Sequence, residues 1–153
     1  MPWVAGEPLR LVIPGVPRPL ERNRTRIVNT KTGGQFVANY LPAQSAREQS
    51  VIRKIAYDAM NGRAPLLGPI DLRIVAYMPI PASWSNKKQA TALNDKIRPT
   101  GRPDWENLAK MLDGLNGVVW RDDSQITDPR GPYKRYSNRP RTVIEIRELA
   151  WAD

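Results

Sequence analysis

Three acidic side chains and a lysine lie close together in the second half of this sequence, at Asp104, Glu106, Lys110 and Asp123. Carboxylates can hold Mg²⁺ ions, which activate a water molecule, neutralise a phosphate and stabilise a leaving oxygen. A nearby lysine can stabilise the developing negative charge or help to position the water. If these side chains converge, they have the chemistry to hydrolyse a phosphodiester.

The element that would position most of them is a helix, predicted from Asp104 to about Asn116-Gly117. Glu106 and Lys110 are four residues apart, so they are neighbours on its polar face. The opposite arc is apolar and is predicted to face the core, with Trp105 at its centre. Its members are Trp105, Leu108, Ala109, Met111, Leu112 and Leu115. A short strand at residues 118–120 and a turn at residues 121–124 would return Asp123 to the start of this helix.

Spacing alone leaves plainer interpretations open for the same residues. Asp104 would serve equally well as a helix N-cap, and acids are common in a first helical turn because of the helix dipole. Glu106 and Lys110 can be a surface pair worth only about 0.3–0.5 kcal/mol. Asp122-Asp123 can be a polar turn.

The composition narrows the chemistry further. The chain has no Cys and no His, which excludes thiol nucleophiles, Ser-His triads, disulfides and ordinary zinc sites. A metal here must be a hard cation held by oxygen, which indicates Mg²⁺ or Mn²⁺. The net charge is +9, with 24 basic and 15 acidic residues. A nucleic acid partner explains this charge best, and a basic surface kept for solubility is the alternative.

The rest of the chain reads as one α+β domain over residues 1–153, a small mixed sheet packed with about three helices. Strands are predicted at residues 9–13, 70–78 and 141–149, a basic loop at residues 17–26 and a turn at residues 31–34. A capping box at residues 45–48 is predicted to open a helix that ends at Asn61-Gly62. Ser83 or Ser85 is predicted to cap a short helix that runs through Leu93. No secretory signal or membrane span is apparent, so we expect a cytoplasmic location.

Two sequence blocks carry a specific resemblance. The first runs from Arg102 to Lys110 with the sequence RPDWENLAK, and the second runs from Leu112 to Ile126 with the sequence LDGLNGVVWRDDSQI. They closely resemble the RusA family of Holliday-junction resolvases, whose usual form is Pro-Asp-x-Asp-Asn-Leu-x-Lys, then Leu-Asp-x-Leu-Asn-Gly, then Asp-Asp-Ser-Gln. The likeness covers most of the chain, from an early arginine-rich segment to the final strand.

This resemblance implies a homodimer that binds a four-way DNA junction and nicks two opposed strands with Mg²⁺ or Mn²⁺, in a bacterial or phage-infected cell. By matching position it implies that Asp104, Glu106 and Asp123 bind the metal and that Lys110 is the catalytic lysine. It implies no organic cofactor and no membrane partner. Glu106 departs from the family's usual Asp, which moves the carboxylate by about one bond length.

Basic residues flank the two blocks or, in the case of Arg102, begin the first one, and we expect them to contact DNA phosphates, which provide affinity and salt dependence more than sequence information. They are Arg22, Arg24, Arg26, Lys31, Lys87, Lys88, Arg98, Arg102, Lys134 and Arg135. Two other functions stay open. One is a non-catalytic or weakly active branched-DNA binder that results from the Glu106 change, and the other is an RNA-binding basic domain.

Overall fold

A computed structural model describes residues 3–18 and 24–153 and confirms the predicted α+β class. None of the helices in these two ranges combines the length and the apolar character that crossing a bilayer requires. The elements in chain order are β1 (Trp3–Ala5), β2 (Leu9–Pro14), β3 (Arg24–Asn29), β4 (Gln35–Tyr40), α1 (Ala43–Met60), β5 (Ile70–Pro79), α2 (Asn86–Leu93), α3 (Trp105–Ala109), a 3₁₀ helix (Lys110–Leu115), a 3₁₀ turn (Asp123–Gln125), β6 (Ile126–Ser137) and β7 (Arg141–Trp151).

The main sheet is mixed. β7 lies inside it, with β1 and β2 following one another along one side of β7 and β5 along the other, all antiparallel to it. β6 lies beyond β5 and runs parallel to it. A parallel pair needs a long crossover connection. Here that connection contains α2, α3 and both 3₁₀ elements, so the crossover carries every candidate catalytic residue.

The core lies between the sheet and α1. Alternate residues of β5 from Ile70 to Met78 point into it, as the predicted strand pattern requires. α1 contributes Ile52, Ala56 and Met60, and the crossover contributes several fully buried residues. These are Leu108, Leu115, Val119 and Trp120. The candidate site is therefore built on a connection that is anchored in the core at several points.

Two predictions about the crossover were wrong. The helix that begins after Asp104 is α-helical only through Ala109 and then tightens into a 3₁₀ helix. The apolar arc is only partly buried: Leu108, Leu112 and Leu115 lie in the core, whereas Trp105 in the first turn of α3 is 59% exposed. Residues 118–120 do not form a strand, and Trp120 makes only isolated bridges, to Leu66 and Asn116.

Two predictions about the first half were also wrong. Part of the expected basic loop is the strand β3, which pairs with β4 across a turn where Thr30 and Gly34 hydrogen-bond to each other. The predicted turn is thus confirmed, but as the tip of a hairpin. The predicted capping box does not open α1, because the helix already begins at Ala43 and Ser45 is a buried helical residue, only 4% exposed.

β1, β4 and β6 were not predicted. β6 contains Pro129, Gly131 and Pro132, which normally argue against a strand. β6 is an edge strand, where prolines are tolerated, and a register shift opposite Arg73 and Val75 absorbs the irregularity. Gly131 has a φ of +100°, and a Cβ at this position would clash with the Ile74 carbonyl group. Glycine is therefore required at this bulge.

Candidate active site

Asp104 occupies the N-cap position of α3, but its carboxylate makes no capping hydrogen bond. A backbone hydrogen bond closes the first turn instead, because the Leu108 amide donates to the Asp104 carbonyl oxygen at 3.1 Å. Leu108 is fully buried and fixes this turn against the core. The plain interpretation of Asp104 as a helix cap is thus not supported, and its exposed carboxylate stays available to a ligand.

Lys110 lies where α3 changes into the 3₁₀ helix, and its side chain is partly buried. The ammonium group donates a hydrogen bond to Asn107 Oδ1 at 3.1 Å. This contact holds a long flexible cation in one position on the polar side of α3. Glu106, in the first turn of α3, is exposed on the same short helix. The crossover therefore presents a carboxylate and an oriented lysine within two helical turns.

The Asp122-Asp123 pair is divided between two roles. Asp122 is the N-cap of the 3₁₀ turn, because its Oδ2 accepts a hydrogen bond from the Ser124 amide at 3.2 Å. Hydrogen bonding with the Ser124 side chain, and then with the Ser124 amide, lowers the pKa of the Asp122 carboxyl group below its ordinary value. Asp123 is the first residue of the same turn and takes no part in this cap. The turn that Asp122 stabilises thus displays the Asp123 carboxylate.

The Gln125 side chain fixes this turn to the body of the protein. Its Oε1 accepts from the Arg121 and Asp122 amides at 2.9 and 3.1 Å. Its Nε2 donates to the Leu66 and Gly68 carbonyl oxygens at 2.9 and 3.0 Å. Four hydrogen bonds from one side chain therefore join the turn before Asp123 to the segment that leads into β5.

Electrostatic coupling brings a further acid into the cluster. The pKa of the Asp113 carboxyl group is raised above its ordinary value, first by burial and then by repulsion from Asp123, while Lys110 opposes the shift. Lys110 and Asp113 are three residues apart in a 3₁₀ helix, where such residues eclipse one another. Asp113 thus lies within range of the charges of both Asp123 and Lys110.

The residues suit a hard divalent cation by their chemistry, because their donors are carboxylate oxygens and their charge is incompletely balanced. Asp104, Glu106, Asp123 and Asp113 all fall in the described part of the chain. Within that part, no three acidic side chains are gathered closely enough to form a metal site as they stand. A cation held here would be bound by carboxylates that draw together around it.

The predicted phosphate-binding residues are spread over several elements. Arg22 lies outside the described residues, whereas Arg24, Arg26 and Lys31 belong to the β3–β4 hairpin. Lys87 and Lys88 are in the first turn of α2, and the Lys88 ammonium lies over the Trp84 ring, 4.0 Å from its centre. Arg98 and Arg135 both form ion pairs with Asp95, at 3.1 and 3.3 Å. Arg102 is exposed immediately before the acidic cluster.

Lys134 differs from these cations because its ammonium group is hydrogen-bonded to the backbone of another segment. Its ammonium group donates to the Gly101 carbonyl oxygen and, at 3.1 Å, to the Pro103 carbonyl oxygen. Both acceptors precede Asp104 in the chain, so β6 is tied directly to the segment that enters α3.

Comparison with known proteins decides the family. Residues 14–147 match the family described as Endodeoxyribonuclease RusA, and this match includes every candidate catalytic residue. The chain belongs to the RusA family. A stretch of 88 residues is also 39% identical to a Bacillus subtilis (strain 168) protein named Uncharacterized protein YqaN. That stretch covers 56% of this chain and 61% of the relative.

Within this RusA-family chain, sequence reasoning overlooked three residues that organise the site. Asn107 orients Lys110, Asp113 couples to Asp123, and Gln125 fixes the turn. All three belong to the blocks that carry the family resemblance, so the signal was present. The contacts of Asp113 and Gln125 form only when the crossover folds, whereas Asn107 and Lys110 are three residues apart and helical spacing alone could have paired them.

Proposed function

We propose that this chain is a Holliday-junction resolvase, a structure-specific endonuclease that introduces paired symmetric nicks in four-way DNA junctions with Mg²⁺ or Mn²⁺. Its place of action would be the cytoplasm of a bacterial or phage-infected cell. The observation that carries the proposal is which groups make the capping hydrogen bonds near Asp104 and Asp123. Asp122 and the backbone satisfy the local caps, which leaves the Asp104 and Asp123 carboxylates exposed and uncommitted in a RusA-family chain.

In this proposal, Asp104, Glu106 and Asp123 hold the divalent cation. When bound, such a cation supplies phosphate neutralisation and water activation. Lys110, oriented by Asn107, provides a fixed positive charge for the negative charge that develops at the scissile phosphate. Two copies of the chain would act together, because paired nicks in opposed strands need two active sites. The basic residues on the hairpin and beside the crossover would hold the junction arms.

Cleavage of a synthetic mobile four-way junction tests the proposal, with a linear duplex of the same sequence alongside. The two adjacent acids offer a matched pair of variants, Asp123→Asn and Asp122→Asn, with identical chemical changes. We expect Asp123→Asn to lower the rate by about 10²-fold or more, since it removes a group that acts in the transition state. Asp122→Asn keeps a capping side chain and should retain most of the activity. Equal loss in both variants would contradict the assignment of Asp123.

A non-catalytic branched-DNA binder is the second candidate, and the glutamate at position 106 favours it. This candidate predicts tight junction binding without cleavage in either metal, and cleavage gained on Glu106→Asp. The resolvase predicts cleavage by the unchanged chain. Competition between junction DNA and structured RNA addresses an RNA-binding role, which is excluded if the junction DNA wins.

A further inference from the structure

Trp105 is exposed at a position where exposure has a cost. The residue is 59% exposed, although helical spacing of the surrounding apolar residues predicts that it belongs to the core. Burying an aromatic side chain of this size removes about 150–250 Å² from contact with water. The folded chain forgoes this stabilisation at the one position that separates Asp104 from Glu106.

The other tryptophans all have a partner that accounts for their placement. Trp3 and Trp151 are also exposed, but they pack against each other edge to face, with ring centres 5.5 Å apart. Trp84 packs against Tyr136 and under Lys88, and Trp120 is buried and donates to Asn116 Oδ1 at 2.7 Å. In residues 3–18 and 24–153, no ring or cation is stacked on Trp105.

The backbone beneath Trp105 is held firmly. The next turn of α3 is anchored by Leu108, and the preceding segment is tied to β6 by the two hydrogen bonds of Lys134. An aromatic ring has few rotatable bonds, so a ring displayed from a fixed turn loses little conformational entropy when it binds. Arg102, exposed three residues earlier in the chain, adds a positive charge to the same segment.

We propose that Trp105 is a DNA-contacting residue that stacks on an unpaired or unstacked base at the branch point, beside the scissile phosphate. The inference rests on the proposed function: Trp105 lies between Asp104 and Glu106 in the chain, so a strand bound by those two residues would pass close to the turn that carries Trp105. Bases within a continuous duplex are covered by their neighbours, whereas a branch exposes base faces. Aromatic stacking on such faces tolerates any base sequence. Trp105 therefore selects for branched DNA over linear duplex.

Equilibrium binding in EDTA tests the contact without any cleavage step. The probes are a four-way junction and a linear duplex of the same sequence, and the variants are Trp105→Phe, Trp105→Leu and Trp105→Ala. We expect Trp105→Ala and Trp105→Leu to weaken junction binding about tenfold or more, and Trp105→Phe to retain most of it. Duplex binding should change by less than about twofold. Thermal stability should be unchanged in all three variants, because the side chain is exposed.

Tryptophan fluorescence provides a second measurement, because stacking on a base quenches the indole. Junction binding should quench the unchanged chain and the control Trp151→Phe, but Trp105→Phe should lose most of this quenching. Junction affinity that is equal in all variants overturns the proposal. A shift in sedimentation with Trp105→Ala also overturns it, since Trp105 would then belong to a contact between copies of the chain. If the unchanged chain binds junctions through Trp105 but cleaves nothing, only the nuclease proposal fails.

Discussion

The Lys134 ammonium group donates a hydrogen bond to the Pro103 carbonyl oxygen at 3.1 Å, which joins β6 to the residue just before Asp104. The same ammonium donates to the Gly101 carbonyl oxygen. The sequence suggests a phosphate contact for Lys134, but these hydrogen bonds give it a second possible role. A lysine that uses its donors inside the protein positions the entry to α3 and contributes less to DNA binding.

Lys134→Met separates these two roles, since it keeps the aliphatic length and removes the donors. We expect the cleavage rate to fall between about 10- and 100-fold, because a small displacement of Asp104 misaligns the site. Junction affinity and its dependence on salt should stay near those of the unchanged chain. The exposed Lys87 is the matched control. Lys87→Met should leave the cleavage rate of bound junction nearly unchanged, weaken junction binding and lower the salt slope by about one. Weakened junction binding with a reduced salt slope in Lys134→Met would show instead that Lys134 contacts a DNA phosphate.

Gln125→Glu should destabilise the fold. The substitution keeps an acceptor for the Arg121 and Asp122 amides but replaces the donor that faces the Leu66 and Gly68 carbonyl oxygens. Leaving those acceptors unsatisfied costs about 1–3 kcal/mol of unfolding free energy, measured by urea denaturation. Gln35→Glu makes the same change at an exposed position of β4 and should cost less than about 0.5 kcal/mol. Similar losses of unfolding free energy in the two variants would show that the Gln125 side chain does not anchor the turn.

Asp113 should make stability depend on pH in the absence of metal. Its pKa is raised on folding, so the folded chain binds this proton more tightly than the unfolded chain does. The resulting penalty is full at neutral pH and disappears as the pH falls through the folded pKa toward the ordinary value of 3.8. Asp113→Asn should therefore raise Tm in EDTA at pH 7 by about 1 °C, with a gap that closes as the pH falls.

Asp122 should affect the pH dependence of stability in the opposite direction to Asp113. Its pKa is lowered on folding by hydrogen bonding with the Ser124 side chain and then with the Ser124 amide, so its stabilisation is present above the ordinary pKa and is lost as the pH falls. Asp122→Asn should lower Tm at pH 7 and make no difference in strong acid. Thermal melts of both variants from pH 7 downward check the pair, and curves that shift in the same direction would contradict the assignments.

The hairpin formed by β3 and β4 should bind DNA through one face. Strand register places Arg24, Arg26 and Phe36 on one side, and Ile27 opposite Val37 on the other. Phe36 and Val37 are adjacent and exposed, at 51% and 69%, so Phe36→Glu and Val37→Glu add the same charge to opposite faces. We expect Phe36→Glu to weaken junction binding about tenfold at low salt and Val37→Glu less than threefold. Equal losses of junction binding in the two variants would show that only the net charge of the protein matters, and not which face of the hairpin carries the added glutamate.

The sequence by itself determined the fold class, the family and the residue types of the site. β5, β7, the end of α1 at Asn61 and the Ser85 cap of α2 were predictable, because alternation and capping are local properties. The absence of Cys and His restricted any metal site to oxygen donors. The two motif blocks identified the family because their residue types and separations are specific.

Tertiary structure alone decided how these residues are used. Trp105 is exposed although the helical pattern predicts its burial, whereas Leu108, Leu112 and Leu115 of the same arc pack into the core. β6 became a strand despite its prolines because it lies at the sheet edge. Lys134 met Pro103, and Gln125 met Leu66, across many intervening residues. Local sequence cannot specify such contacts, because each forms only when distant segments pack on one core.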